Sequence, residues 1–164
     1  MKKETYIKMT QPFRDNPKLA GGLHNLNRIC TMTMYILYPL FLVYLLVQRD
    51  DRFLKVLLVP AVSFVILSAG RYLINRKRPY EAFELPPVIP KDTKGKSVPS
   101  RHVFSAAVIA MTFLLMSPWT WLSVLLLCVT LLEAVVRVVS GVHYISDVTA
   151  GIVIGILSAA VYLL

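Results

Sequence analysis

The sequence predicts an all-α fold: a polytopic membrane helix bundle with about five transmembrane helices behind a basic N-terminal interfacial segment. Three observations carry that expectation. Hydrophobic residues make up 56% of the 164 and the mean hydropathy is +0.62, too apolar for an ordinary soluble domain. The apolar residues are gathered into runs, most of them long enough to cross a bilayer. Short polar turns and one long basic loop separate those runs. The length suits one compact unit, divided into an N-terminal segment, 1–28, and a transmembrane domain, 29–164.

The segment 1–28 is polar and basic, with Tyr6, Ile7, Met9, Phe13, Leu19, Leu23 and Leu26 spread through it. It reads as an interfacial helix broken at Asn16-Pro17 and Gly21-Gly22, or as a flexible tail. No cleavable signal peptide is expected, because the first long apolar run begins near Ile29 with no small-residue cleavage site after it. The run 29–47 is the first span, and Gln48 to Arg52 form a polar turn. The second span, 53–74, carries Pro60 in its interior and Arg71 near its far end. The loop 75–100 holds Arg76, Lys77, Arg78, Lys91, Lys94 and Lys96 and five of the ten prolines. Long loops in compact chains are usually functional or disordered.

The third span, 102–116, is short: at 1.5 Å per residue it covers only about 22 Å of a hydrocarbon core roughly 30 Å thick. His102 is therefore expected below the membrane surface, in reach of a lipid headgroup. After Ser117-Pro118, Trp119 and Trp121 stand where an aromatic belt would. The fourth span is 119–139 and the fifth 145–164, in which Gly151 and Gly155 predict close helix packing inside the bundle.

Net charge is +9 with the basic residues clustered, which suits a cytosolic face, anionic headgroups or a phosphate substrate. Nucleic acid is a poor fit, since no basic helix or stacking platform stands out. Cys30 and Cys128 lie in apolar runs without CxxC spacing and read as small hydrophobes.

Chemistry concentrates in three motifs. Arg71 and Arg78, seven apart, would share a helix face two turns long and form an anion clamp, with Pro79 disfavouring continuation. Arg76 and Lys77 read instead as positive-inside topology residues. In Pro99-Ser100-Arg101-His102, Ser100 is a natural N-cap, and the free backbone N–H groups after it face an anion at the helix mouth. The alternative is an ordinary capped helix with a surface histidine. The third motif is Arg137-Val-Val-Ser-Gly-Val-His143-Tyr-Ile-Ser-Asp147. Charges inside an apolar segment are costly and mark function by default. Asp147, one turn from His143, can hold the imidazole tautomer and leave the other ring nitrogen nucleophilic. Arg137 offers a planar cation suited to phosphate. The alternative is an ion pair tying two helix ends together. Glu133, four residues before Arg137, is expected to fix that guanidinium from behind.

Together the three motifs resemble the type 2 phosphatidic acid phosphatase family (PAP2), the lipid phosphatases related to vanadium haloperoxidases. That signature is Lys-x6-Arg-Pro, Pro-Ser-Gly-His and Ser-Arg-x5-His-x3-Asp; order and spacing are kept from Arg71 to Asp147, about half of the chain. The resemblance implies that 29–164 is a phosphatase domain in which His143 takes the phosphoryl group, Asp147 orients it and His102 protonates the leaving oxygen. Arg71, Arg78, Ser100 and Arg137 would bind phosphate oxygens, and Arg101 stands with them. Arg71 replaces the lysine, Arg101 the glycine and Val136 the serine of the family pattern. The family core usually has six spans; the one missing here precedes the first motif.

No cofactor or metal is expected: there are only three histidines, His24 lies far from the motifs, and arginines would take the place of Mg²⁺. The alternative is a metal on His143, Asp147 and His102. The expected partners are the bilayer and a phosphorylated lipid. Phosphatidylglycerol phosphate, phosphatidate, polyprenyl pyrophosphate and a lipid A phosphate all fit such a pocket, with the loop 80–98 deciding among them. Two rival functions remain: a haloperoxidase, disfavoured by the spans, and a non-catalytic lipid- or anion-binding or transport protein. Five spans put the N-terminal segment and the long loop on one side. Positive-inside counting places that side in the cytosol. The resembling bacterial enzymes work on the outer face of the plasma membrane, and active-site arginines are placed for chemistry, so the outer face is the expectation.

Overall fold

The computed structural model describes residues 2–164. In order, its helices are α1 (Lys3–Arg14), α2 (Pro17–Val47), α3 (Phe53–Ile74), α4 (Pro79–Phe83), α5 (Arg101–Met116), α6 (Thr120–Val139) and α7 (Ile145–Ala159), with a 3-10 turn at Ala160–Leu163. Among the described residues there is no strand. Four helical stretches are long and apolar enough to cross a membrane, and the shorter apolar α5 makes the fifth member of the bundle.

The shortest of these helices is the hub. α5 packs against α2, α3, α6 and α7, and nine of its sixteen residues are buried, so it has almost no face left for lipid. α2 and α3 instead turn Ile29, Tyr35, Ile36, Leu40, Val62, Val65 and Ile66 outward, as helices in contact with acyl chains do. α7 lies flush on α5 because it has glycine where the two backbones meet. A Cβ on Gly151 would stand 2.9 Å from the Ser100 carbonyl oxygen, and one on Gly155 2.6 Å from Ala107 Cβ. The Gly151/Gly155 pair thus packs within the bundle, as expected. At the end remote from the long loop, Phe41 lies 4.6 Å from Phe113 and Tyr44 4.8 Å from Trp119, centroid to centroid. Trp119 therefore packs inward, and Trp121 alone of the pair faces outward. Beside them, Arg52 donates to Asp50 and to the Met116 carbonyl (2.9 Å), joining the α2–α3 turn to the end of α5.

Two local expectations are corrected. The segment 1–28 has a break before Pro17 but none at Gly21-Gly22. Asn16 caps α2 by accepting from the Lys18 and Leu19 N–H groups, and Pro17 takes the first turn, so the helix is committed there. Each interior glycine costs about 1 kcal/mol against alanine. Leu23 and Leu26, packed near Ile89 and Val136, offset that cost. The second correction concerns Arg71 and Arg78, which do not share a helix face. α3 ends at Ile74, where Asn75 is left-handed (φ 42°) and its N–H caps the Arg71 carbonyl. Arg78 is extended and opens α4, with Pro79 in its first turn. The two guanidiniums approach the same region from separate elements.

Candidate active site

Three chain junctions meet at the end of the bundle that carries the long loop. The first is the mouth of α5: Ser100 N–H donates to the Asp147 carbonyl at 2.9 Å, tying the start of α5 to the start of α7. The second is the turn from α6 to α7. The Arg137 carbonyl, at the end of α6, accepts from the Val142 and His143 N–H groups (3.3 and 3.2 Å), and Gly141 makes the reversal with φ +76°. The third is the loop 84–100, which the arginines hold down. Arg71 donates to the Pro99 carbonyl at 2.7 Å and to the Lys96 carbonyl. Arg78 donates to the Gly95 carbonyl at 3.0 Å and lies 3.5 Å from that of Val142.

His143 is 2% exposed and sits at the centre. Its Nδ1 is 3.4 Å from Asp147 Oδ2, and its Nε2 is 3.4 Å from Arg78 Nη1. A guanidinium has only donors, so the nitrogen beside it is the one with the lone pair, and the proton sits on Nδ1 facing the carboxylate. Burial pushes the His143 pKa down to about 4, outweighing the Asp147 contact that raises it. The ring is therefore neutral at pH 7 with Nε2 unprotonated, the form a nucleophile needs.

Asp147 is fully buried and takes more partners than the sequence indicated. Oδ2 accepts from the Tyr144 N–H at 3.0 Å and from the Ser97 hydroxyl. Oδ1 accepts from Arg76 Nη1 at 2.9 Å. Arg76, expected only to mark topology, also donates to Ser146 Oγ (2.9 Å) and lies 4.2 Å over the Tyr144 ring. Lys77 beside it is exposed, as a topology residue would be. Arg76 and Lys77 look alike in one dimension; only the fold separates them. Ser97 carries no sequence signal at all. Half-buried Lys91 is a further cation at the cluster: burial, reinforced by Arg78, Arg137, Arg101 and Arg71, holds its pKa below the usual lysine range.

The remaining expected residues fall into two groups. Arg137 is 4% exposed; its Nη2 is 3.6 Å from Glu133 Oε1, an ion pair just beyond hydrogen-bond length, and its Nε has no protein partner. Glu133 also accepts from Thr31 Oγ1 at 3.4 Å. Ser100 occupies the N-cap position, but its buried hydroxyl caps nothing and has no partner. Such orphaned buried donors call for a ligand or water. His102 stands half-buried in the first turn of α5 without a hydrogen bond. Arg101 is apart from the cluster: it is exposed, its guanidinium 5.9 Å from the Phe64 centroid. Val136 packs near Leu23 and Ile89. Among the described residues, no three His, Cys, Asp or Glu side chains are grouped as a metal would require.

A model of the PAP2 superfamily matches residues 52–164. The chain is similar in structure to Aquifex aeolicus LpxE, with a TM-score of 0.75 and 23% identity over 98% of this chain and 93% of that one. It is also similar to the first transmembrane PAP2 type phosphatidylglycerolphosphate phosphatase from Bacillus subtilis, with a TM-score of 0.74 and 19% identity over 98% of this chain and 83% of that one. At these identities the likeness is one of fold. No curated protein matches the sequence. With its apolar helices, the chain is a multi-pass integral membrane protein.

Proposed function

The chain belongs to the PAP2 superfamily, and from that premise we propose that it is an integral-membrane lipid phosphatase, hydrolysing a phosphate monoester or pyrophosphate on a lipid through a phosphohistidine. The observation that carries this reading is His143: buried, neutral, its Nδ1 on Asp147 and its Nε2 beside the Arg78 guanidinium at 3.4 Å. The Bacillus subtilis neighbour is described as a phosphatidylglycerolphosphate phosphatase, which supports a phospholipid substrate.

In the first step the His143 Nε2 lone pair attacks phosphorus, and the bond from phosphorus to the lipid oxygen breaks. His102, entering the step as the imidazolium beside the anionic phosphate, gives that oxygen its proton and is left neutral. Asp147 steadies the Nδ1–H as the ring becomes cationic. In the second step His102 takes a proton from water, the resulting hydroxide attacks phosphorus, and the P–N bond breaks to release phosphate and restore His143. The developing charge meets Arg71, Arg78 and Arg137, the Ser100 hydroxyl and the N–H groups opening α5. Phosphoryl transfer asks for this kind of positioned charge neutralisation. Arg101, exposed beside Phe64 of α3 and apart from the other arginines, suits the approach of an anionic headgroup rather than the reacting phosphate. Arginines supply the cationic charge, so activity is expected without a divalent ion. The working face is assigned to the outside of the plasma membrane.

The test is phosphate release by purified protein from phosphatidylglycerol phosphate, phosphatidate, a polyprenyl pyrophosphate and a lipid A phosphate, with excess chelator present. Turnover of at least one is expected. No turnover, together with tight retention of one lipid, would make the protein a binder instead. Restoration by added Mg²⁺ or Zn²⁺ alone would remove the metal-free mechanism.

A further inference from the structure

We propose that Tyr6 is a positioning residue for the His143 turn, so that α1, outside the residues 52–164 that the family model matches, is a working part of the active site. The inference rests on the phosphatase reading above.

α1 presents Tyr6, Met9, Thr10 and Phe13 on one face, at the i, i+3, i+4, i+7 spacing of a docked helix. Met9 packs near Val103, Ala134, Val138 and Val148, and Phe13 near Leu23, Ile89 and Val136. Apart from Leu23 of α2, those residues belong to α5, α6, α7 and the long loop, the elements that carry the site. Tyr6 is 0% exposed.

The Tyr6 ring lies on Gly141, two residues before His143. A Cβ at Gly141 would stand 2.5 Å from the Tyr6 hydroxyl oxygen and 2.8 and 2.9 Å from two of its ring carbons. The turn and the ring are therefore in direct contact, and only glycine leaves room for it. The hydroxyl is held as well. Arg14 donates to the Tyr6 oxygen at 3.3 Å and to the Pro86 carbonyl, and the Tyr6 hydroxyl reaches the Leu85 carbonyl at 3.5 Å. The Val88 N–H in turn donates to the Ser140 carbonyl at 2.9 Å, which ties the strap 85–88 to the turn 140–143. Phe83 extends the packing, its ring 5.3 Å from Tyr6 and 6.4 Å from Tyr144, whose N–H holds Asp147. Removing the ring frees the segment that sets where Nε2 points.

The experiment is steady-state kinetics on full-length protein carrying Y6A, Y6F, G141A and Y6A/G141A, each checked for folding by thermal unfolding. Y6A is expected to lower kcat about tenfold or more with KM within about twofold, because displacement of a reacting group by an ångström can cost a hundredfold. Y6F, which keeps the ring, should recover most of that loss, and orthovanadate inhibition should weaken in step with kcat. G141A should cost at least about threefold less in the Y6A background, since contacting residues couple and the φ strain is common to both arms. Should Y6A not fold, Y6L is read in its place. An active wild type in which Y6A keeps kcat within about twofold, or in which the cycle is additive, overturns this inference alone. Wild-type protein that neither releases phosphate nor is stabilised by orthovanadate overturns the phosphatase reading and this inference with it.

Discussion

Replacing Arg76 by glutamine probes how Asp147 is held. The Asp147 side chain is fully buried, and Arg76 Nη1 is the partner of its Oδ1, at 2.9 Å; the other oxygen has Ser97, the Tyr144 N–H and His143. A hydrogen bond to a charged group contributes about 1.5–3 kcal/mol. The Arg76 side chain is 39% exposed, so solvent screening brings its share to about 1–2 kcal/mol. If that share serves to hold Asp147 against the His143 imidazolium, kcat falls about tenfold, at 1.36 kcal/mol per decade. KM should stay within about twofold, because Arg76 pairs with a carboxylate and not with the substrate. R76K should recover part of the loss. Removing the cation also favours the protonated ring, so the acid limb of kcat should move to higher pH. The assay is steady-state kinetics on purified protein across pH, with thermal unfolding to show that the fold is kept. A folded R76Q enzyme with unchanged kcat and an unmoved acid limb would refute the reasoning.

Three further outcomes are expected. Glu133→Gln leaves the buried Arg137 without its counter-charge and should lower stability by about 3 kcal/mol and catalytic efficiency severalfold; unchanged efficiency would remove Glu133 from the support of the site. With the His143 pKa near 4, kcat/KM should hold well below pH 6.5. The unfolded chain takes up that proton near pH 6.5, so stability should decline as pH falls from about 6.5 towards 4, readable as a falling melting temperature. Gly155→Val adds methyl groups beyond a Cβ that would itself stand 2.6 Å from Ala107 Cβ and 3.0 Å from the Val108 nitrogen, and should destabilise by about 1–3 kcal/mol or more by forcing α7 off α5.

The sequence made the bundle legible because bilayer chemistry leaves little choice: apolar runs of spanning length become helices. It marked His143, Asp147, Arg137, Arg71, Arg78 and Ser100 as candidates through the order and spacing of three motifs, and the fold brings these motifs to one end of the bundle. What it did not reveal depends on partners distant in sequence. Arg76 differs from Lys77 only through Asp147, 71 residues away. Ser97 matters through the same carboxylate, 50 residues away. Tyr6 meets a glycine that reads as turn chemistry until the ring is seen against it. The supposed shared face of Arg71 and Arg78 failed for a local reason: Asn75 adopts the left-handed conformation and ends the helix between them.

The central claim is that His143 Nε2 takes the phosphoryl group before water does. The most direct test is the stereochemical course of hydrolysis of a lipid substrate whose phosphoryl group is made chiral by isotopic labelling. Two successive in-line displacements, first by His143 and then by water, each invert the phosphorus centre. The account therefore predicts net retention, with turnover abolished in His143→Ala. Net inversion would mean that water attacks the lipid phosphate in a single step, and would contradict the phosphohistidine assigned to His143.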